Sequence, residues 1–131
     1  MQRFVPYLAY QDAPAAIEFL VKAFGFEEEL RYPMPDGRVG HCELKLGGQS
    51  LYLASTYEEM GFRSPQAFDG VHGQVYVRID DVDGHFERAR EAGATIAAEP
   101  VDEHGSRMYR ALDPEGHRWI FAGIGDESAH G

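Results

Sequence analysis

The chain repeats one set of turn and cap residues after about half its length, and this repeat limits the fold more than any other feature. A shift of 68 positions, which is 116 minus 48, places Gly48 on Gly116. The same shift superimposes Asp12 on Asp80, Gly25 on Gly93, Gly37 on Gly105, Leu44 on Leu112 and Ala54 on Ala122. Because turn and cap glycines fix the lengths of the elements between them, the repeat predicts two modules of one architecture.

Each module is predicted to be a strand, a helix and three further strands. In the first, strands are predicted over residues 4–10, 27–32, 38–46 and 50–54. Asp12 is a typical N-cap and Gly25 a typical end for the helix between the first two strands. The buried stripe of this helix is predicted to be Ile17, Leu20, Val21 and Phe24.

The second module follows the same order. Its strands are predicted over residues 72–79, 94–97, 106–112 and 118–123, with turns over residues 103–105 and 113–116. Asp80 or Asp81 caps a helix that buries Val82, Phe86 and Ala89. We therefore predict one α+β domain of two tandem βαβββ modules, residues 3–54 and 71–124, joined by a linker or lid over residues 55–70 and followed by a tail over residues 125–131.

Composition limits the partners. The 131 residues carry 22 acidic and 12 basic side chains, a formal charge of −10, which disfavours nucleic acid. Such a surface suits cationic or neutral ligands, although surplus carboxylates also simply aid solubility. The single cysteine, Cys42, fits a reducing compartment, and the sequence has neither a membrane-length apolar run nor a signal segment. We expect a cytoplasmic protein with no membrane or nucleic-acid partner.

The paired modules and the run from Gly105 to Phe121, with its Asp-Pro-Glu-Gly-His turn, resemble the vicinal oxygen chelate superfamily in its glyoxalase/bleomycin-resistance/dioxygenase branch. The resemblance extends from about Val5 to Ile124. It implies mixed sheets that curve around a shared cleft, and a homodimer. Enzymes of this superfamily bind a divalent metal through the first and last strands of each module.

The resemblance places those metal positions at Val5 or Pro6, Tyr52, Gln74 and Ile120. A hard divalent cation needs several carboxylate, imidazole or carbonyl donors, which this set does not supply. We therefore expect no metal and no cofactor at these positions. The histidines also lack the close spacing of a zinc site, since His72 is predicted at the start of a strand, His104 in a turn and His130 in the tail. His117 is expected to be a structural hydrogen-bonding residue.

His41 and Glu43 alternate with Cys42 and Leu44 on one strand, so the first pair should face the cleft, together with Val39, and the second pair the helix. The pair is the candidate catalytic site, as a base with its orienting carboxylate or as ligands of a displaced metal. The alternative is a polar pair that lines a solvated cleft. Cys42 is expected to be a packed residue, and His85 to be an exposed helix residue.

Aromatic and polar residues elsewhere are predicted to complete a ligand-binding cleft. The predicted ligand-binding set is Tyr7, His41, Glu43, Tyr52, Gln74, Tyr76, Arg107, Tyr109 and Ile120. Arg107 could clamp a carboxylate of the ligand or pair with Glu43. Trp119 alternates with Ile120 and should face the helices, and the aromatic linker is predicted to be a lid or a dimer arm.

Two functions remain open. The first, favoured by the loss of the usual ligands, is a metal-independent protein that binds a small organic molecule, resembling drug-sequestering bleomycin-resistance proteins. The alternative is a metal-dependent lyase, isomerase or dioxygenase of the glyoxalase type with an atypical ligand set around His41, Glu43 and Gln74, or with none.

Overall fold

The computed structural model describes residues 2–103 and 105–124. In this part of the chain the βαβββ order occurs twice, which confirms the predicted α+β fold of two repeated modules. The elements are β1 (Tyr7–Tyr10), α1 (Ala13–Phe24), β2 (Glu27–Pro33), β3 (Val39–Leu46), β4 (Gln49–Ser55), β5 (Gln74–Ile79), α2 (Val82–Glu91), β6 (Thr95–Glu103), β7 (Ser106–Leu112) and β8 (Arg118–Gly123). His104, and the tail with His130, lie outside the described residues.

Each module forms its own four-stranded mixed sheet. The strand orders are β1-β4-β3-β2 and β5-β8-β7-β6. The first strand of each module pairs in parallel with the last, and the remaining neighbours are antiparallel. The helix between the first two strands allows the parallel pairing, because parallel neighbours require a crossover connection.

Local signals set the helix ends. The Asp12 side chain accepts a hydrogen bond from the Ala15 N–H at 3.2 Å, and Gly25 ends α1 with φ of 86°. The cap of α2 is Asp81, whose side chain accepts from the Gly84 N–H at 3.0 Å. An aspartate before each helix satisfies N–H groups that the helix itself leaves open.

One apolar core joins the two modules. Its helix residues include the predicted Ile17, Leu20, Phe24, Val82, Phe86 and Ala89, all buried. The Phe24 ring lies 5.2 Å from the Trp119 ring and 4.8 Å from the Phe121 ring, so α1 of the first module packs on β8 of the second. Trp119 is fully buried on the helix side, as predicted. Burial of these rings stabilises the contact between the two modules.

Several strand ends differ from prediction, and β5 begins at Gln74 and not at His72. β1 begins at Tyr7 because its pairing with β4 extends only from Tyr7 to Tyr10, and Phe4 is 91% exposed. β6 continues to Glu103 because it pairs with β7 along its length. In the linker, Glu58–Met60 and Pro65–Ala67 form single 3-10 turns. Among the described residues, no helix is long and apolar enough to cross a membrane.

Candidate functional site

The first sheet has a polar, aromatic face on the side opposite its helix, which we call the first open face. Tyr7 pairs with Tyr52 across β1 and β4, and Glu43 pairs with Tyr52 across β3 and β4. Directly paired residues point to the same side of a sheet. Cys42 and Leu44 lie on the opposite side, in the core, as predicted.

A chain of hydrogen bonds crosses this face. The Tyr7 hydroxyl lies 2.6 Å from His41 Nδ1, and His41 Nε2 lies 2.9 Å from a carboxylate oxygen of Glu43. Because an ionised carboxylate only accepts, neutral His41 carries its proton on Nε2 and accepts at Nδ1 from the Tyr7 hydroxyl. The predicted adjacency of His41 and Glu43 is confirmed, and Tyr7 extends the pair to three groups.

Three tyrosine rings surround His41, the histidine of this hydrogen-bond chain. The centroid of the His41 ring lies 5.0 Å from that of Tyr52, 5.4 Å from Tyr7 and 6.2 Å from Tyr32. Partial burial, reinforced by the neighbouring Cys42 and Glu43, raises the pKa of Tyr7. Tyr7 therefore stays a phenol and a hydrogen-bond donor at neutral pH.

An apolar cavity of about 620 Å³ opens beside Tyr7, and we call it the lid cavity. Its remaining wall comprises Met34, Arg38, Val39, Gly40, Ala54, Ser55, Thr56, Tyr57, Met60, Gly61 and Phe62. The linker covers it through a closed loop, in which the N–H of each of Tyr57 and Phe62 donates to the carbonyl of the other, at 2.8 and 3.1 Å. The Phe62 ring packs on Tyr7 at 5.8 Å.

Val39 belongs to the core and also lines the lid cavity, whereas the prediction placed it on the cleft face alone. Gly40 lies at a pairing irregularity between β2 and β3, where the register shifts by one between Tyr32 and Pro33. Val39 consequently turns back into the core and is buried, while its N–H donates to the Ser55 hydroxyl at 2.8 Å. A bulge of this kind reverses side-chain alternation, which the sequence pattern did not reveal.

The second sheet has a more apolar face on the side opposite its helix, the second open face. Tyr76 pairs with Ile120, and Arg110 pairs with Ile120 from the other neighbouring strand. Met108, Ile120 and Ala122 form a small buried cluster there. Gln74 and Tyr76 keep the predicted orientation, opposite to Val75 and Val77.

The prediction that Arg107 and Tyr109 line the ligand-binding cleft is wrong. Tyr109 and Ala111 are buried in the core, and Met108 and Arg110 occupy the open face instead. Arg107 makes ion pairs with Asp83 at 2.9 Å and Asp102 at 3.3 Å, and not with Glu43. The reason is the register of the β7–β8 hairpin. Arg110 pairs with Ile120, ten positions further on, whereas Glu43 of the first module pairs with Tyr52, nine positions further on, so the faces of β7 are shifted by one position.

The prediction that His85 is an exposed helix residue is also wrong. Its Nε2–H donates to the Phe24 carbonyl at 2.8 Å, and Nδ1 accepts from the Tyr109 hydroxyl at 2.5 Å. Burial lowers the pKa of His85. The ring packs 4.3 Å from Phe121, so this histidine belongs to the core between the modules and not to a ligand site.

A second cavity, of about 440 Å³, lies between the linker and the beginning of β5, and we call it the linker cavity. Tyr7, Gln74 and Tyr76 all line it, so three of the predicted ligand-binding residues meet there. Arg118 also lines this cavity and was not among the predicted residues, although its alternation with the buried Trp119 was a signal for an outward direction.

The positions at which relatives would hold a metal do not fit one here. Val5, Tyr52, Gln74 and Ile120 offer one amide and one phenol between them, whereas hard divalent ions prefer several carboxylate or imidazole donors. In the part of the chain that the structure describes, no three His, Cys, Asp or Glu side chains are grouped closely enough to share an ion. Cys42 is buried, and burial raises the pKa of its thiol to about 11.

Comparison with known proteins agrees with this architecture. A family model described as Glyoxalase/Bleomycin resistance protein/Dioxygenase superfamily matches residues 3–121. An uncharacterized protein of Mycobacterium bovis is 37% identical over 118 residues, which cover 87% of this chain and 78% of that protein. TioX from Micromonospora sp. ML1 is 36% identical with a TM-score of 0.75, covering 93% of this chain and 98% of its own.

More distant structures share the fold alone. FosX, the genomically encoded fosfomycin resistance protein from Listeria monocytogenes, is 15% identical with a TM-score of 0.72, covering 98% of this chain and 94% of its own. The match of the family model over most of the chain, with the two relatives above 30% identity, establishes the family. The chain belongs to the glyoxalase/bleomycin resistance protein/dioxygenase superfamily.

Proposed function

We propose that this protein binds a small organic molecule without a metal, in the manner of drug-sequestering members of its superfamily. The observation that supports this most is the lid cavity, an aromatic-lined space next to the hydrogen-bonded Tyr7, His41 and Glu43. Its volume of about 620 Å³ lies within the range of about 300–1,000 Å³ typical of ligand sites.

The walls of the cavity suit a flat, largely apolar ligand. Met34 and Met60 supply adaptable thioether surfaces, and Phe62 and Tyr57 supply rings from the linker. Arg38 is held by Asp36, since its Nε donates to that carboxylate at 2.8 Å. The Arg38 charge is therefore already balanced, and the lining offers apolar contact more than charge.

The overall charge favours cationic or neutral ligands over anionic ones at this cavity. The protein carries a formal charge of −10, and the Glu43 carboxylate is linked through His41 to Tyr7, which lines the cavity. Aromatic faces also attract organic cations. We propose Tyr7, His41, Glu43 and Tyr52 as the binding residues of the first open face, and Gln74, Tyr76 and Ile120 as those of the second.

A second candidate function is acid–base catalysis of the lyase, isomerase or dioxygenase type. It is favoured by the chain of Tyr7, His41 and Glu43, in which a carboxylate orients an imidazole that accepts from a phenol. If a metal contributes, His41, Glu43 and Gln74 would be its atypical ligands. A homodimer and a cytoplasmic location also remain proposals, and the exposed Tyr32 and Tyr76 are surfaces that a second copy could cover.

Metal analysis separates the two candidates. Protein purified without chelator or affinity tag is analysed for metal and then titrated with zinc, nickel, manganese and iron(II). We expect far less than one metal per chain and no saturable binding. About one metal per chain that is lost in both His41→Ala and Glu43→Ala would instead establish the enzyme reading.

The cavity itself is tested by calorimetric titration with N-methylquinolinium, a flat aromatic cation, and with neutral quinoline at pH 8. Phe62→Ala removes the ring that closes the lid cavity, and we expect binding of both probes to weaken by about tenfold. Phe4→Ala, a matched change of an exposed phenylalanine that lines neither described cavity, should leave affinity within about twofold. Equal effects of the two substitutions would contradict the proposed site.

A further inference from the structure

The linker cavity differs in charge from the rest of the molecule. Its lining includes Arg63, His72, His117 and Arg118, and the described residues that line it include no aspartate or glutamate. In a chain with 22 acidic and 12 basic residues, a cavity free of carboxylates is a local reversal of the surface charge. A concave site lined by one sign of charge concentrates its own field.

Not all of these groups are available to a ligand. Arg63 forms an ion pair with Glu58 at 2.9 Å, and His117 donates through Nε2 to the Ala9 carbonyl at 2.8 Å. Within the described part of the chain, the Arg118 guanidinium and the His72 ring have no hydrogen-bond or ion-pair partner. Arg118 is therefore the charge at this cavity that a ligand could pair with.

Main-chain donors add to the side chains. Among the described residues, the N–H groups of Val71, His72 and Gly73 have no hydrogen-bond acceptor, and all three residues line the cavity just before β5 begins. Arg118 pairs with Gln74 in the parallel ladder, and both residues line the cavity, so Arg118 lies beside this segment. Successive free N–H groups beside an arginine are the donors that bind carboxylate and phosphate oxygens.

The rest of the wall is aromatic and apolar. Tyr7, Tyr76 and Phe68 line it, with Val75 and Pro65. The ring of His72 packs edge-on against Phe68 at 5.5 Å. A ligand that fits both parts of the wall carries one negative group attached to a flat apolar body.

We propose that the linker cavity is a second binding site, distinct from the lid cavity, for organic anions in which a carboxylate is joined to a flat apolar group. Arg118 and the N–H groups of Val71–Gly73 bind the carboxylate, and Tyr7, Phe68 and Tyr76 contact the apolar body. This site is distinct from the lid cavity, because among the described residues the two cavities share Tyr7 and no other lining residue.

The test uses naphthalene-2-carboxylate and its neutral relative naphthalene-2-carboxamide in calorimetric titrations at pH 7.5 and low salt. We expect the carboxylate to bind at least about tenfold more tightly than the amide, and Arg118→Gln to remove most of that difference. The control is Arg90→Gln, an exposed arginine paired with Glu87 on α2, which should change affinity by less than about twofold.

Amide chemical shifts locate the bound probe. The proposal expects the largest shifts at residues 70–76 and at Arg118. Absence of binding at millimolar probe, equal affinity for acid and amide, equal effects of Arg118→Gln and Arg90→Gln, or shifts confined to residues 55–62 would each overturn it. Loss of quinolinium binding in Phe62→Ala, by contrast, tests only the lid cavity.

Discussion

The turns before the last strand of each module have equivalent positions in the fold but differ in burial and in contacts. In the first module, Gly47 and Gly48 make a short exposed turn between β3 and β4. In the second, Asp113 and Glu115 are buried, at 4% and 5% exposure, within a longer turn over residues 113–117. The two carboxylates of the longer turn are buried because it packs against the first module.

Asp113 is the centre of the second turn. One of its carboxylate oxygens accepts from the Tyr10 hydroxyl at 2.5 Å and from Trp119 Nε1 at 3.1 Å. The other accepts from the N–H groups of Glu115 and His117, both at 3.1 Å. Burial and this carboxylate raise the pKa of Tyr10 well above its ordinary value. The turn therefore joins the modules in addition to reversing the chain.

Glu115 and His117 complete the joint. The Glu115 carboxylate accepts from the N–H groups of Gln11 and Asp12 at 2.6 and 2.7 Å, immediately before α1. His117 donates to the Ala9 carbonyl, which agrees with its expected structural role. The difference between the turns shows that a longer turn can change both its own contacts and the face that the preceding strand presents.

The largest effect is expected for Asp113→Ala. Removal of the carboxylate leaves the Tyr10 hydroxyl and the Trp119 indole N–H buried without an acceptor, so the free energy of unfolding should fall by about 3 kcal/mol or more. Urea denaturation measures the change. Gln49→Ala, at the exposed first turn, is the control and should change stability by less than about 0.5 kcal/mol. Comparable losses would remove the distinction between the turns.

A smaller loss is expected for Glu115→Gln. The amide keeps the size of the side chain but cannot accept at both positions with a full negative charge, so the two N–H groups before α1 lose charge-assisted bonds. We expect a decrease of about 1–3 kcal/mol in the free energy of unfolding. A loss as large as that of Asp113→Ala would show that Glu115, and not Asp113, is the main anchor of the turn.

The second helix also differs from the first in carrying a core histidine, and this predicts a dependence on pH. Burial lowers the pKa of His85, so the unfolded chain binds a proton more readily than the folded chain once pH falls below about 6.5. Stability should decrease from there toward the folded pKa, by up to about 1.4 kcal/mol per pH unit. Urea midpoints at pH 7.5 and 5.0 should differ less in His85→Gln than in the parent protein.

The smallest effect is expected for Arg107→Gln. Its partners Asp83 and Asp102 lie at the surface, where ion pairs contribute little. Neither the urea midpoint nor the affinity for N-methylquinolinium should change measurably. A clear loss of ligand affinity would mean that this arginine reaches a ligand after all.

Sequence reasoning worked best where one local rule decided the outcome. The caps at Asp12 and Gly25, the stripe from Ile17 to Phe24 and the strands on either side of the Asp113 turn all follow from nearest-neighbour chemistry. The adjacency of His41 and Glu43 also followed from alternation along one strand. Each of these needed only residues close to one another in the chain.

Sequence reasoning failed where the register of a strand depended on the strand with which it pairs. The assignment of Tyr109 to the cleft assumed that the repeat relates β7 to β3 by the same shift of 68 positions as the rest of the module. In the structure Arg110 pairs with Ile120 as Glu43 pairs with Tyr52, so Arg110 is the equivalent of Glu43. The bulge at Gly40 moved Val39 for a similar reason. Side-chain alternation has a period of two, so an error of one residue reverses every face.

By itself, the sequence determined the repeated βαβββ order, the ends of the helices and the chemical character of the open faces, because short-range propensity and patterning decide those features. Only the tertiary structure decided that Tyr7 joins His41, that linker residues line a cavity beside Tyr7, and that Asp113 binds Tyr10. Those contacts join residues up to 103 positions apart, and their geometry arises from strand pairing and core packing.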